Sequence, residues 1–242
     1  MTETAAPHLV VVTGAASGIG RACVDLLTTR GCRVIALDID ESGLLARKAE
    51  AWSDADVRTV VADLRDPRSA IEAIEDRIEP GDRIDSLLNI AGIYEDTDPG
   101  NFDADLAADI IRVNLVAPHA LSFGLWNRFS ENACIVNAGS MSISRFLTGA
   151  SAYTASKGGL AALTFSMQGT AGRSGPRVYC INFGRVRTPM IERYVSMETP
   201  AASPQEAAEE ILACMTGRRR GREGRMYDFA PYEHQRRSST PS

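Results

Sequence analysis

Short runs of β-branched and aliphatic residues alternate along this chain with longer segments whose apolar residues recur at helical spacing, and that alternation leaves few folds open. Strands are expected at Leu9–Thr13, Arg33–Leu37, Val57–Val61, Ile84–Asn89, Ala133–Ala138, Arg177–Asn182 and Met226–Phe229. Between them the spacing predicts helices at Ile19–Arg30, Glu41–Trp52, Pro67–Ile78, Leu106–Arg128, Ala152–Met167 and Pro204–Met215. Strands that alternate with helices become parallel neighbours, and right-handed crossovers wind such a sheet outward in two directions. The expected fold class is therefore α/β, a doubly wound parallel sheet of seven strands with helices on both faces. Sheets of this kind take ligands at the carboxyl ends of their strands, so the loops after the strands are where function is to be sought.

The 242 residues, 44% of them hydrophobic, suffice for one substantial core, and no break in composition marks a second unit. Residues 1–232 are expected to form one domain and residues 233–242 a disordered tail. A net charge of -5 offers no general attraction to nucleic acid or to an anionic membrane surface, which leaves small molecules as the expected partners. The basic cluster Arg218, Arg219, Arg220 and Arg222 follows a helix without interleaved aromatic residues and reads as solvated charge. Five cysteines lack any CxxC spacing, and the three histidines show no metal-ligand spacing. The segment Met1–Pro7 is short and polar, and no membrane helix of about 20 apolar residues is apparent, so a reduced, cytoplasmic setting is expected.

The loop after the first strand reads Thr13, Gly14, Ala15, Ala16, Ser17, Gly18, Ile19, Gly20. Glycines there let backbone approach a phosphate, whose charge is favoured at the start of a helix. Asp38 ends the second strand, where a carboxylate can reach ribose hydroxyls and would repel a 2'-phosphate, so NAD is favoured over NADP. Asp63 and Leu64 follow the third strand, and Asn89, Ala91 and Gly92 lie at the end of the fourth. All five fall on the adenosine side of such a ligand.

Tyr153 and Lys157 stand four residues apart on an expected helix and so share a face. A free tyrosine has a pKa of about 10, and a neighbouring ammonium favours its phenolate, which would fit the phenol for proton exchange with an alcohol oxygen. Taken alone the pair is no more than a helical neighbour pair. Ser140, thirteen residues before Tyr153, and Asn114 further upstream give it a context.

With these residues the stretch Leu9–Pro189 closely resembles the short-chain dehydrogenase/reductase family, whose fold is of Rossmann type. The TGxxxGxG turn is matched by Thr13, Gly14, Gly18 and Gly20, with Ser17 and Ile19 inside it, and the family's NAG segment by Asn89, Ala91 and Gly92 with one residue inserted. The resemblance implies a tetrad of Asn114, Ser140, Tyr153 and Lys157. In it Ser140 polarises the substrate oxygen, Tyr153 exchanges the proton, Lys157 lowers the tyrosine pKa and bonds the nicotinamide ribose, and Asn114 anchors a water. Gly184, Val186 and Thr188 match the family's nicotinamide loop, with Thr188 as a partner for the carboxamide. The implied activity is hydride transfer between NAD(H) and a small secondary alcohol or ketone, in a homodimer or homotetramer. A non-redox dehydratase or epimerase of the same fold, or a dinucleotide-sensing regulator, remain the alternatives.

Two departures from the family stand out. Phe183 occupies a position where many members have proline, which removes a fixed φ and adds bulk. Gly169 and Gly172 weaken the end of the helix that carries Tyr153, so an early helix end is expected. A short lid is expected over residues 189–203. Met141, Ser142, Ser144, Arg145, Phe146, Tyr94 and Glu95 are expected to line the substrate end, with Arg145 or Arg193 as candidate partners for a substrate carboxylate.

Overall fold

The computed structural model describes residues 8–97, 99–145, 147–172, 174–196, 198–218 and 226–232. The expected tail, Phe146 and the arginines of the basic cluster beyond Arg218 lie outside the described residues. Seven strands form one parallel sheet: β1 (Leu9–Thr13), β2 (Arg33–Asp38), β3 (Val57–Val61), β4 (Ile84–Asn89), β5 (Phe129–Ser140), β6 (Arg177–Phe183) and β7 (Met226–Phe229). Their spatial order is 3-2-1-4-5-6-7, so the winding direction reverses between β1 and β4. The parallel doubly wound sheet is thus the fold that the alternation of strands and helices implied.

Because strand side chains alternate, the sheet needs apolar cover on both faces. Val10 and Val12 of β1 pack with Ala22, Val24 and Leu27 of α1 (Gly18–Thr28) and with Ala208 and Ile211 of α8 (Pro204–Met215). Leu9 and Val11 face the other way, toward Ala70 and Ile74 of α3 (Pro67–Glu75) and Met167 of α6 (Ser151–Ala171). Between β2 and β3 lies α2 (Glu41–Glu50), capped by Asp40, whose side chain accepts from Gly43 N at 3.0 Å.

The helix expected at Leu106–Arg128 is broken. It divides into α4 (Ala104–Ile111), a π turn at Arg112–Val116, α5 (Ala117–Gly124) and a short 3₁₀ turn at Trp126–Arg128. Pro118 explains the break, since it cannot offer an N–H to the Asn114 carbonyl, and the chain widens so that Ala117 N bonds back to Arg112 O. Ala104–Gly124 is also long and apolar enough to meet the length and composition of a membrane span, contrary to the expectation that no such stretch exists. In this fold its apolar side chains Ile110, Val113, Ala117 and Leu121 are buried in the protein core.

The early end expected for the helix bearing Tyr153 is likewise corrected. α6 runs through Gly169 to Ala171 and stops at Gly172, whose φ of +59° suits glycine. Packing outweighs propensity here, because Met167 and Ala171 are buried and the Gln168 side chain accepts from Val178 N at 2.9 Å.

A chain of buried amides fastens α6 to the sheet. Asn89 Nδ2 donates to Asn137 Oδ1 at 2.8 Å, and Asn137 Nδ2 donates to Thr164 Oγ1 at 2.9 Å. Replacing Asn137 with Ala leaves the Asn89 donor and the Thr164 acceptor without this partner in a site closed to water. The variant should unfold with about 2 kcal/mol less stability in urea titration, and an unchanged midpoint would show that this relay does not hold the sheet to the helix.

Candidate active site

One cavity of about 740 Å³ runs along the carboxyl ends of the strands, from the loops after β2 and β3 to the loop after β6. It straddles the place where the winding reverses, as the topology requires. At one end the glycine turn forms its floor, with Gly14, Ser17, Gly18, Ile19 and Gly20 facing the space. Gly14 and Gly18 have φ of +72° and +53°. A Cβ on Gly14 would lie 3.0 Å from the Ala91 backbone, one on Gly18 3.0 Å from Thr188 Cγ2, and one on Gly20 would run into the Gly14 carbonyl. The turn therefore has its shape because side chains are missing from it. Ser17 caps α1 without a side-chain hydrogen bond, which leaves the first N–H groups of the helix to a ligand.

Asp38 also lines the cavity. Its Oδ2 accepts from Ala16 N at 2.9 Å and its Oδ1 from Asp40 N at 3.0 Å, so the glycine turn holds the carboxylate in place. Asp63 and Leu64 line the space nearby. Asp63 is paired with Arg65 at 2.7 Å, and this guanidinium holds its carboxyl below the usual carboxylate range. Arg65, which sequence reasoning passed over, reaches on to Asp109 at 3.2 Å and lines the cavity itself.

Two residues expected to touch a cofactor face elsewhere. Thr13 Oγ1 donates to Leu88 O and accepts from Ile90 N at 3.0 Å and Ala91 N at 3.1 Å, which staples β1 to the loop after β4. The Asn89 side chain is buried in the amide relay between sheet and α6. The cavity wall at this point is made instead by Ile90, Ala91, Gly92 and Ile93.

Ser140, Tyr153 and Lys157 converge on the other end, each lining the cavity. Ser140 closes β5, and Tyr153 and Lys157 lie on α6. Lys157 is almost fully buried, with Nζ donating to Ala138 O at 2.7 Å and standing 5.7 Å from the centre of the Tyr153 ring. Burial brings its ammonium down to about 8. Burial also pushes the Tyr153 phenol above its ordinary value, against the opposing effect of the Ser140 hydroxyl. The direction is the reverse of the lowering expected from Lys157, because removal from water dominates.

Asn114 lies behind the cavity wall, fully buried in the π turn. Its Oδ1 accepts from Ile93 N at 2.8 Å, and its Nδ2 donates to Ile93 O at 2.9 Å and to Ser156 Oγ at 3.1 Å. The amide thus clamps the loop after β4 to α6. A Cβ on Gly92 would meet Asn114 Oδ1 at 3.1 Å and Lys157 Nζ at 3.6 Å, so a larger residue here would press on the Asn114 amide.

Of the residues expected at a substrate end, Met141, Ser142, Arg145 and Tyr94 line the cavity. The Tyr94 ring meets Tyr153 edge-on at 5.0 Å and Tyr194 at 4.7 Å. Ser144 and Glu95 do not line it. Ser144 donates to Met141 O at 3.1 Å, and Glu95 accepts from Tyr194 at 2.8 Å, pushing that phenol up to about 12. Arg193 pairs with Glu95 at 3.4 Å on the exterior. The lid expected at 189–203 begins with α7 (Pro189–Glu192), and Ile191, Tyr194 and Val195 close over the cavity.

Phe183 ends β6 in register with Ser140, and its ring meets Phe229 edge-on at 5.7 Å. Gly184, Val186 and Thr188 line the cavity beyond it, as does Arg185, also missed from sequence. No local pattern distinguishes Arg185 from the exposed arginines around it.

A reversal-point cleft with a glycine turn at one end and a serine, tyrosine and lysine at the other is the layout of an α/β oxidoreductase. Residues 8–199 match the short chain dehydrogenase family. Levodione reductase of Leifsonia aquatica is 31% identical over 91% of this chain and 87% of its own length. The solved 4-hydroxyisoleucine dehydrogenase complexed with NADH is 29% identical, with a TM-score of 0.82 over 92% of this chain and 96% of that one. The chain belongs to the short-chain dehydrogenase/reductase family.

The lowered Lys157 has a consequence for stability. In the unfolded chain the amine keeps its ordinary value of 10.5, so between about 8 and 10.5 the unfolded state binds more protons than the folded one. Wild type should therefore gain stability relative to Lys157→Met as pH rises from 8 toward 10. Paired urea melts at the two pH values would show the difference widening; a constant difference would mean that the ammonium is not desolvated.

Proposed function

We propose that this protein transfers a hydride between NAD(H) and a small secondary alcohol or ketone, with Tyr153 as the proton donor and acceptor. The observation that carries the reading is one continuous cavity joining the glycine turn and Asp38 to the Ser140, Tyr153 and Lys157 cluster. The residues fit a dinucleotide. Gly14 and Gly18 leave a cradle beneath the start of α1 for the diphosphate, Asp38 suits ribose hydroxyls, and Gly184, Val186 and Thr188 face the nicotinamide end. Its chemistry when bound is to give or take the hydride. Support from relatives comes from the NADH complex of 4-hydroxyisoleucine dehydrogenase and from the reductase of Leifsonia aquatica.

In the reducing direction Ser140 Oγ, held within reach of the substrate end, polarises the carbonyl, and Tyr153 Oη gives its proton to the nascent alkoxide. The raised phenol keeps that proton at neutral pH. Lys157 Nζ supplies positive charge beside the phenol as the proton leaves, fixed in place by Ala138 O. In the oxidising direction the same proton returns to Tyr153. Asn114 acts through position, by holding Ile93 and Gly92. The apolar lid residues Ile191 and Val195 reduce access of water to the reacting atoms.

A homodimer or homotetramer in the cytoplasm belongs to the same reading, and the exposed apolar residues Phe123 on α5 and Phe165 on α6 support its assembly.

Tyr153→Phe should abolish NADH-coupled reduction while its NADH dissociation constant, measured by fluorescence, stays near that of wild type. Turnover that survives the change would sink the assignment. Conversion of substrate with no net change in reduced nicotinamide would point instead to a dehydratase or epimerase. For the coenzyme, Asp38→Ser should raise affinity for NADPH by roughly tenfold while weakening NADH. Equal NADPH binding by both proteins would remove Asp38 as the selector.

A further inference from the structure

The substrate half of the cavity carries positive charge that the hydride-transfer reading leaves without a task. Two carboxylates, Asp38 and Asp63, line the cavity among the described residues, and both stand at the adenosine end, Asp63 already paired with Arg65. Beyond Ser140 and Tyr153 the lining contains Arg145 and Arg185 instead.

These arginines come from different loops, and the Met141 side chain lies against both loops. Arg145 Nη2 lies 3.7 Å from Met141 Sδ, and a Cβ on Gly184, the neighbour of Arg185, would lie 3.3 Å from the same sulfur. Arg185 is anchored from behind. Its backbone N donates to Tyr232 Oη at 2.6 Å, and its guanidinium carbon stands 5.9 Å from the centre of that ring. Its Nε is shielded from solvent and has no hydrogen-bond partner.

Ser142 adds a second, independent signal. It is 4% exposed and lines the cavity two residues from Ser140, and its Oγ is buried with no partner. Buried polar atoms without partners are costly, and two of them on residues lining one cavity, one of them in a guanidinium, call for an acceptor supplied from outside. The Glu95 carboxylate does not answer, because Tyr194 and Arg193 engage it elsewhere.

We infer that the substrate is an oxo or hydroxy acid whose carboxylate is bound by Arg185 and Ser142, with Arg145 adding charge to the same wall. A carboxylate matches this donor set, since it can accept from a planar guanidinium and a hydroxyl together. The inference rests on the dehydrogenase reading of the same cavity and narrows it from neutral alcohols and ketones to acids.

The test compares each of pyruvate, acetoacetate and levulinate with its methyl ester as an NADH-coupled substrate. At least one acid should exceed its ester in kcat/KM by roughly tenfold, as expected for a buried charged hydrogen bond. Arg185→Met and Ser142→Ala should lower that preference mainly through KM, leaving ester turnover and NADH affinity within about twofold, while Arg185→Lys restores part of it. Equal use of acids and esters overturns the proposal. So does weakened NADH binding in Arg185→Met, which would assign the guanidinium to the cofactor. A second arm needs no turnover: thermal shift by each acid and ester, with and without NADH. Acid-specific stabilisation lost in Arg185→Met upholds the anion site even if no carbonyl is reduced, which would count against the dehydrogenase reading alone. Absence of acid-specific stabilisation together with absence of acid preference rejects the site.

Discussion

Lys157 brings an ammonium into the protein interior, and a charge there must find an acceptor. It finds the carbonyl of Ala138, two residues before the end of β5. That bond fixes where α6 lies along the strand, and the remaining geometry follows. Tyr153, one turn earlier on α6, is brought over the end of β5, where Ser140 stands. At Gly92 the loop after β4 runs close to both Asn114 and the lysine nitrogen, where a Cβ would sit 3.1 Å from Asn114 Oδ1. The amide relay from Asn89 through Asn137 to Thr164 repeats the attachment one layer deeper, so the helix is held at two levels. Desolvation of the lysine and of the tyrosine is the cost of this arrangement. It also keeps both groups in surroundings where a small displacement of charge has a large electrostatic effect.

The two ends of the cavity are coupled through backbone rather than through side chains. A Cβ on Gly14 would press on Ala91 and one on Gly18 on Thr188, so the loops after β4 and β6 both lie close against the glycine turn. Asp38 is bonded to that same turn through Ala16 N. A change in the turn would therefore alter the Asp38 end and the Thr188 end of the cavity together. Thr13 belongs to this frame through its hydroxyl, although it does not reach the cavity.

The succession of strands and helices and the positions of Ser140, Tyr153 and Lys157 were legible because they depend on local periodicity and on a motif of fixed spacing. What was not legible depends on contacts far along the chain. Asn89 sits at the end of a strand, and the choice between facing the cavity and facing α6 is set by Asn137, 48 residues away. Pro118 was visible, but the break it makes is a local widening around Asn114 rather than a stop, since α-helical bonding resumes in α5 directly after the π turn. Gly169 lies in a helix that propensity alone disfavours and that Met167 and Gln168 hold by packing and hydrogen bonding. Arg185 and Arg193 look equivalent in sequence. One enters the cavity because its loop is zipped to Ala202 and tied to Tyr232, whereas the other remains outside with Glu95.

Phe183 shows how the loop after β6 keeps its shape without proline. A proline would fix the turn through its own φ, whereas here the strand simply continues, pairing Phe183 with Ser140 on one side and Phe229 on the other. The constraint passes to the last described segment of the chain. Gly184 N donates to Phe229 O at 2.9 Å, a Cβ on Gly184 would collide with the Tyr232 hydroxyl, and that hydroxyl accepts from Arg185 N. Arg187 N and Ala202 O, with Ala202 N and Arg185 O, then carry the loop toward Thr188. The Thr188 side of the cavity is thus shaped by residues 226–232, so a sequence change there acts on the site through the backbone of Arg185 without touching Ser140, Tyr153 or Lys157.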